Sequence, residues 1–140
     1  MISGQSNMMI IEEIERDLPN GFHDSNLVKV EVDYLKREAV IYLRIDISDP
    51  DDTKNPGKIV YREGELHLTD LVYFVLEPPD DKYDLSMSDG LWIANGGELK
   101  EINTASTLPT SVPEGAFEYW FFINDWNCFI YFSAMGAYWE

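Results

Sequence analysis

The sequence predicts an α+β domain that is mainly β, with an N-terminal helix leading into a curved, mostly antiparallel sheet, a sandwich or partial barrel. Three observations carry this expectation. The apolar period changes from helical to alternating after Gly21. Turn residues then recur between short β-favouring runs. Aromatic residues, 14% of the chain, concentrate toward the C-terminus, where two dense aromatic runs face each other across a polar join. No repeat, low-complexity tract or linker divides the 140 residues, so a single domain spans 1–140, with 1–5 as a loose tail.

The elements follow in order. Met8, Ile11, Ile14 and Leu18 recur at helical spacing; Ser6 can cap this helix and Pro19-Asn20-Gly21 stops it. Val28, Val30 and Val32 alternate with Lys29, Glu31 and Asp33, and after the turn Tyr34–Arg37 the run Glu38–Ile47 alternates again, which predicts a hairpin. Ser48–Gly57 is loop by composition. Strand-like runs resume at Lys58–Arg62, Glu65–Thr69 and Leu71–Leu76, the last apolar throughout and ended by Pro78-Pro79. Asn95-Gly96 between Leu91–Ile93 and Glu98–Ile102 has the composition of a hairpin turn. Phe117–Ile123 and Cys128–Ser133, joined by Asn124–Asn127, predict a hairpin at the centre of the sheet. The sum is one helix and about seven or eight strands.

Charge narrows the function classes. Twenty-six acidic residues against ten basic ones leave a formal net charge of −16. Such a surface repels nucleic acid phosphates and anionic lipid, so neither nucleic acid nor membrane is an expected partner, whereas a basic protein is attracted. The same charge also serves plain solubility. Cys128 is the only cysteine, which excludes an intramolecular disulfide, and its neighbours Phe129-Ile130-Tyr131-Phe132 suit a buried small hydrophobe. No basic residue precedes Arg16 and no apolar run nears the roughly 20 residues that span a bilayer, so a cytoplasmic location is expected.

Catalytic templates are missing: there is no phosphate-binding loop, dinucleotide fingerprint, nucleophile elbow or spaced Cys/His zinc set, and no cofactor or metal is expected. The acidic loop carrying Asp49, Asp51 and Asp52 fails the EF-hand pattern in both registers, since Lys54 or Pro56 stands where glycine is required. It suits a solvated loop or a binding surface better than a calcium site. His23-Asp24 has two readings. In one, His23 transfers a proton or contacts a ligand while Asp24 orients it. In the other, Asp24 binds turn amides and Phe22 anchors the loop. Asn124-Asp125-Trp126 sets an aromatic beside hydrogen-bonding groups at a hairpin tip, either as a binding anchor or as a polar turn with Trp126 folded onto the sheet.

Leu18-Pro19-Asn20-Gly21-Phe22-His23-Asp24-Ser25, followed by Leu27 and a Val-x-Val-Asp-Tyr strand, resembles a group of small bacterial domains with a Gly-Phe-His-Asp signature ahead of their first strand. Val75–Pro79, Gly90–Ile93 and Tyr119–Asn127 are similar to that group as well. Its relatives look like immunity proteins and antitoxins that neutralise a partner by tight binding. The resemblance implies a non-enzymatic binding module without catalytic residues. A basic toxin would suit the acidic charge, with the acidic segments Asp46–Asp52 and Asp80–Asp89 steering the encounter. The alternative is a small-ligand-binding domain with an aromatic-lined pocket, using His23 and Asn124 as polar selectors. An enzyme built on His23 and Asp24 ranks below both, because the sequence names no reaction for it. A homodimer closing over an aromatic surface would use the same residues as a monomeric core.

Overall fold

The computed structural model describes residues 11–48, 60–82, 91–101 and 108–140. They form one helix, α1 (Ile11–Asp17), and six strands: β1 (Ser25–Asp33), β2 (Glu38–Asp46), β3 (Tyr61–Leu76), β4 (Leu91–Glu98), β5 (Phe117–Ile123) and β6 (Cys128–Trp139). All pairings are antiparallel, and the strands close into a barrel in the order β1-β2-β3-β6-β5-β4. The mainly β, α+β class holds, with the partial barrel carried to closure. No described helix is long and apolar enough to cross a membrane.

Closure depends on irregularities in three strands. The register shifts between Leu27 and Lys29 in β1, between Leu71 and Tyr73 in β3, and between Ile93 and Asn95 in β4. Each extra residue bends its strand and increases local twist, which is how a sheet curls far enough to meet itself. In β3 the shift adjoins Asp70, whose φ of 50° is left-handed. Arg37, also left-handed in the β1–β2 turn, clamps the bend: Leu71 N–H donates to Arg37 O at 2.9 Å and Arg37 Nε donates to Leu71 O at 3.2 Å.

Several expected boundaries change for the same reason. Glu65–Thr69 and Leu71–Leu76 are halves of one strand, because the bend at Asp70 turns the chain without breaking its pairing with β6. Tyr61 and Arg62, from the expected Lys58–Arg62 run, begin that strand. Asn95-Gly96 is not a hairpin turn: it lies inside β4, paired with Phe122 and Phe121. Neither residue takes the positive φ that a two-residue hairpin turn of that composition requires. Gly96 instead permits close approach, since a Cβ there would lie 3.0 Å from Trp120 O and 2.9 Å from the Phe121 ring. Glu98 ends β4, and Leu99–Glu101 form a 3₁₀ turn rather than a strand. Among the described residues there are therefore six strands, against the seven or eight expected for the chain. Met8 and Ser6 lie outside the described residues, as does Ile102.

The interior is packed with side chains. Phe22, Phe121 and Phe132 are fully buried, with Phe121 meeting both other rings edge-on at 5.2 Å centroid separation. Each such ring contributes about 1.5–3 kcal/mol by leaving water, and edge-to-face contact adds to that. Ile41, Leu43, Leu66, Leu68, Ile93, Ile123 and Ile130 fill the spaces between them, and Ile11 and Ile14 of α1 join the same core. Alternate residues of β5 and β6 face outward, where Trp120 and Tyr131 pack with Leu99 and Leu108 in a second, smaller cluster. Cys128 is buried in the main core, and that burial pushes its thiol pKa up to about 11, with the Glu77 charge assisting, which keeps it a neutral thiol near pH 7.

Gly64 shows how tightly one wall is built. A Cβ there would overlap the Trp139 ring, which itself leans on Phe22 at 6.2 Å. Gly64→Ala is expected to lower stability by about 1–3 kcal/mol through overpacking, read as a lower urea midpoint with an unchanged slope.

Candidate functional site

Three of the residues singled out in sequence, Asp24, Asn124 and Asp125, converge on one short stretch of β4. The left-handed turn residue Asp24, with φ of 63°, donates its backbone N–H to Ile93 O at 3.0 Å. On the other side of β4, Asn124 N–H donates to Trp92 O at 2.9 Å and Trp92 N–H donates to the Asp125 carboxylate at 2.9 Å. These contacts surround the seam where, among the described residues, β1 meets β4 through Ser25, Asn26 and Leu27. Phe22, two residues before Asp24, is fully buried. The Phe-His-Asp run thus combines a core anchor with a backbone clip.

His23 and Asp24 do come together. Because Asp24 is left-handed rather than extended, the two side chains do not alternate, and His23 Nε2 lies 3.7 Å from Asp24 Oδ2. Both side chains are largely in water, at 65% and 62% exposure, so the contact is loose and screened. Trp126 is partly buried against the main core. Its backbone carbonyl accepts from Asp80 N–H at 2.9 Å, and the Asn127 amide donates to Asp80 Oδ2 at 3.1 Å. The hairpin tip thereby holds the segment leaving β3. Asp49, Asp51 and Asp52 lie outside the described residues.

Two groupings were not visible as sites in the sequence. On the outer face of β3 and at the end of β6, Glu65, His67 and Glu140 place one ligand atom each within 4.8 Å of one another. Glu65-x-His67 in an alternating strand is a usable same-face signal, but Glu140 arrives only through the pairing of β3 with β6.

The second grouping lies where α1 meets β4 and β5. Tyr119 OH donates to Glu15 Oε2, and Glu12 shares a hydrogen bond with Glu98. Desolvation, then that hydrogen bond, raises the Glu12 pKa above the usual carboxylate value. The Glu98 pKa is lowered by the same bond and next by Lys100, 2.8 Å away. The pair therefore holds a proton on the Glu12 side more readily than an isolated carboxylate would.

Two outcomes follow. Asp125→Ala is expected to destabilise the fold by about 1–2 kcal/mol by leaving the part-buried Trp92 amide without its acceptor, while Asp125→Asn keeps a carbonyl there and recovers most of the loss, as chemical denaturation would show. The raised Glu12 favours folding below the ordinary carboxylate pKa and loses that contribution as pH rises through its folded value; the lowered Glu98 acts in the opposite sense. Gln mimics protonated Glu12, so Glu12→Gln is expected to melt on the order of one or two degrees above the parent at about pH 7, with the gap closing toward about pH 4.

No family model, curated protein or solved structure matches this chain.

Proposed function

We propose that this chain is a non-enzymatic binding domain that masks a basic protein surface, in the manner of an immunity protein or antitoxin. The observation that carries this reading is the β1–β2 turn. Leu35 is 98% exposed and Tyr34 is 74% exposed, at the tip of a hairpin projecting from a strongly acidic domain. The tip has ordered backbone: Asp33 Oδ1 accepts from Leu35 N–H and Lys36 N–H, each at 3.0 Å. A preorganised turn loses little conformational freedom on docking, and an aromatic beside a leucine offers apolar area for a partner pocket. Negative charge supplies long-range attraction to a basic partner. His23 and Asp24 suit a peripheral polar contact in this reading, and Asp80 and Asp81 add charge beside the β5–β6 tip.

A groove leaves room for a small ligand, but it is not the aromatic-lined pocket of the alternative, since among the described residues Trp139 is its one aromatic and neither His23 nor Asn124 lines it. About 610 Å³ opens between α1 and the barrel, lined by Ile14, Leu18, Pro19, Ile45, Ile47 and Trp139, with Asp17 and Arg62 as its charged groups. It lies outside the packed interior, at the foot of the helix.

A tagged copy expressed in its native cells is expected to retain a near-stoichiometric basic protein at low salt and to lose it at high salt. Leu35→Asp should weaken that capture while leaving the melting temperature within about 0.5 kcal/mol equivalent of the parent, because Leu35 makes almost no folded-state contact. Recovery of the domain alone at both salts overturns the proposal and shifts attention to molecules retained in the groove.

A further inference from the structure

The cluster on the outer face of β3 and β6 has no part in the partner-binding reading. Glu65 and Glu140 are locked opposite each other by reciprocal backbone hydrogen bonds, Glu65 N–H to Glu140 O at 2.9 Å and Glu140 N–H to Glu65 O at 3.0 Å. His67 follows Glu65 on the same face, and its ring is stacked flat on Tyr138 at 4.4 Å and 7°. Three potential ligands thus project from rigid, paired backbone, and the imidazole plane is held by its neighbour.

The imidazole is 17% exposed, and its Nε2 atom is shut off from solvent. Glu140 Oε2 lies 3.1 Å from that nitrogen, yet no hydrogen bond engages it. The 3.1 Å contact is thus a close approach without hydrogen-bond geometry. Glu65 Oε1 is 3.6 Å away, past hydrogen-bond reach. A tetrahedral ion with bonds of about 2.0–2.1 Å has ligand–ligand edges of about 3.3 Å, which 3.1 and 3.6 Å bracket. Such an ion would lie on the nitrogen axis with the oxygens flanking it.

Counter-charge points the same way. Among the described residues neither carboxylate has a lysine or arginine in direct ion-pair contact; Lys29 on the same outer surface is held by Glu31 at 2.9 Å and attracts Glu65 only as a lesser, more distant charge. One imidazole and two carboxylates suit a first-row divalent ion rather than magnesium or calcium, which favour all-oxygen shells. The Glu140 side chain is 59% exposed, and Glu65 and Glu140 also border a groove of about 460 Å³, which leaves room for water or an outside ligand at a fourth position.

From this geometry we infer that Glu65, His67 and Glu140 form a surface site for a zinc-class divalent ion with one open coordination position.

Isothermal titration of the metal-stripped full chain with Zn²⁺, in the presence of Mg²⁺ to saturate diffuse acidic binding, tests the site. One Zn²⁺ per chain is expected, with affinity falling more than about tenfold in Glu140→Gln and in His67→Gln. Co²⁺ substituted into the parent should give visible ligand-field absorption that both variants lose. Glu140→Gln alters an exposed carboxylate and keeps its shape, so it remains informative if His67→Gln disturbs the Tyr138 stack. Absence of saturable Zn²⁺ binding overturns the inference. So does binding of equal strength in parent and variants, which would place the ion elsewhere on the acidic surface.

Discussion

A barrel of six strands must close on itself, and here closure falls to the seam between β1 and β4. β2 and β3 pair along nine consecutive positions from Glu38 to Asp46, whereas the described pairing of β1 with β4 runs through Ser25, Asn26 and Leu27. Groups on both flanks reinforce this described part of the ladder. Support comes from both flanks, through Asp24 N–H on one side and Asn124 and Asp125 on the other, all directed at Trp92 and Ile93. A backbone hydrogen bond has a net worth of about 1 kcal/mol, rising when the acceptor is charged, so these clips are comparable with the ladder they reinforce. Asp24, Asn124 and Asp125, singled out in sequence, thus also help to fasten the barrel.

The same requirement explains the long, bent β3 and the aromatic interior. A straight sheet of this width would leave its edges open to pairing with other chains. The bulges at Leu27–Lys29, Leu71–Tyr73 and Ile93–Asn95 turn it instead, and the large rings of Phe22, Phe121 and Phe132 fill the space that curvature encloses. Helix α1, with only seven described residues, is too short to persist alone and depends on burying Ile11 and Ile14. Its polar side meets the barrel through carboxylates, Glu15 on Tyr119 and Glu12 on Glu98, so a chain already rich in negative charge concentrates still more of it at this joint.

What the surface presents follows from where that charge and the remaining apolar groups end up. Aromatic residues are shared between the interior and the outer cluster around Trp120 and Tyr131, leaving Tyr34 and Leu35 conspicuous at a hairpin tip. An acidic body with a small apolar tip is suited to fast, charge-guided encounter followed by local burial. The Glu65–His67–Glu140 group is a separate matter, since its geometry is set by sheet pairing and does not depend on the role proposed for the tip.

Local pattern was enough to identify the helix around Ile11 and Ile14, the β1–β2 hairpin, the buried role of Cys128 and the β5–β6 hairpin, because period, turn chemistry and hydrophobicity act over a few residues. It also drew attention to Phe22–Asp24 and Asn124–Trp126, which the fold brings to opposite sides of Trp92 and Ile93. It misassigned Asn95-Gly96, because a turn-favouring pair can equally serve a strand that needs a close approach, as Gly96 does against Trp120 and Phe121. It split β3, because a left-handed Asp70 bends a strand that distant partners keep paired. The meeting of Glu140 with Glu65 and His67, of Glu12 with Glu98, and of Asp125 with Trp92 was decided only by tertiary structure. Each joins residues far apart in the chain, and their proximity depends on strand register and barrel closure, which no local window contains.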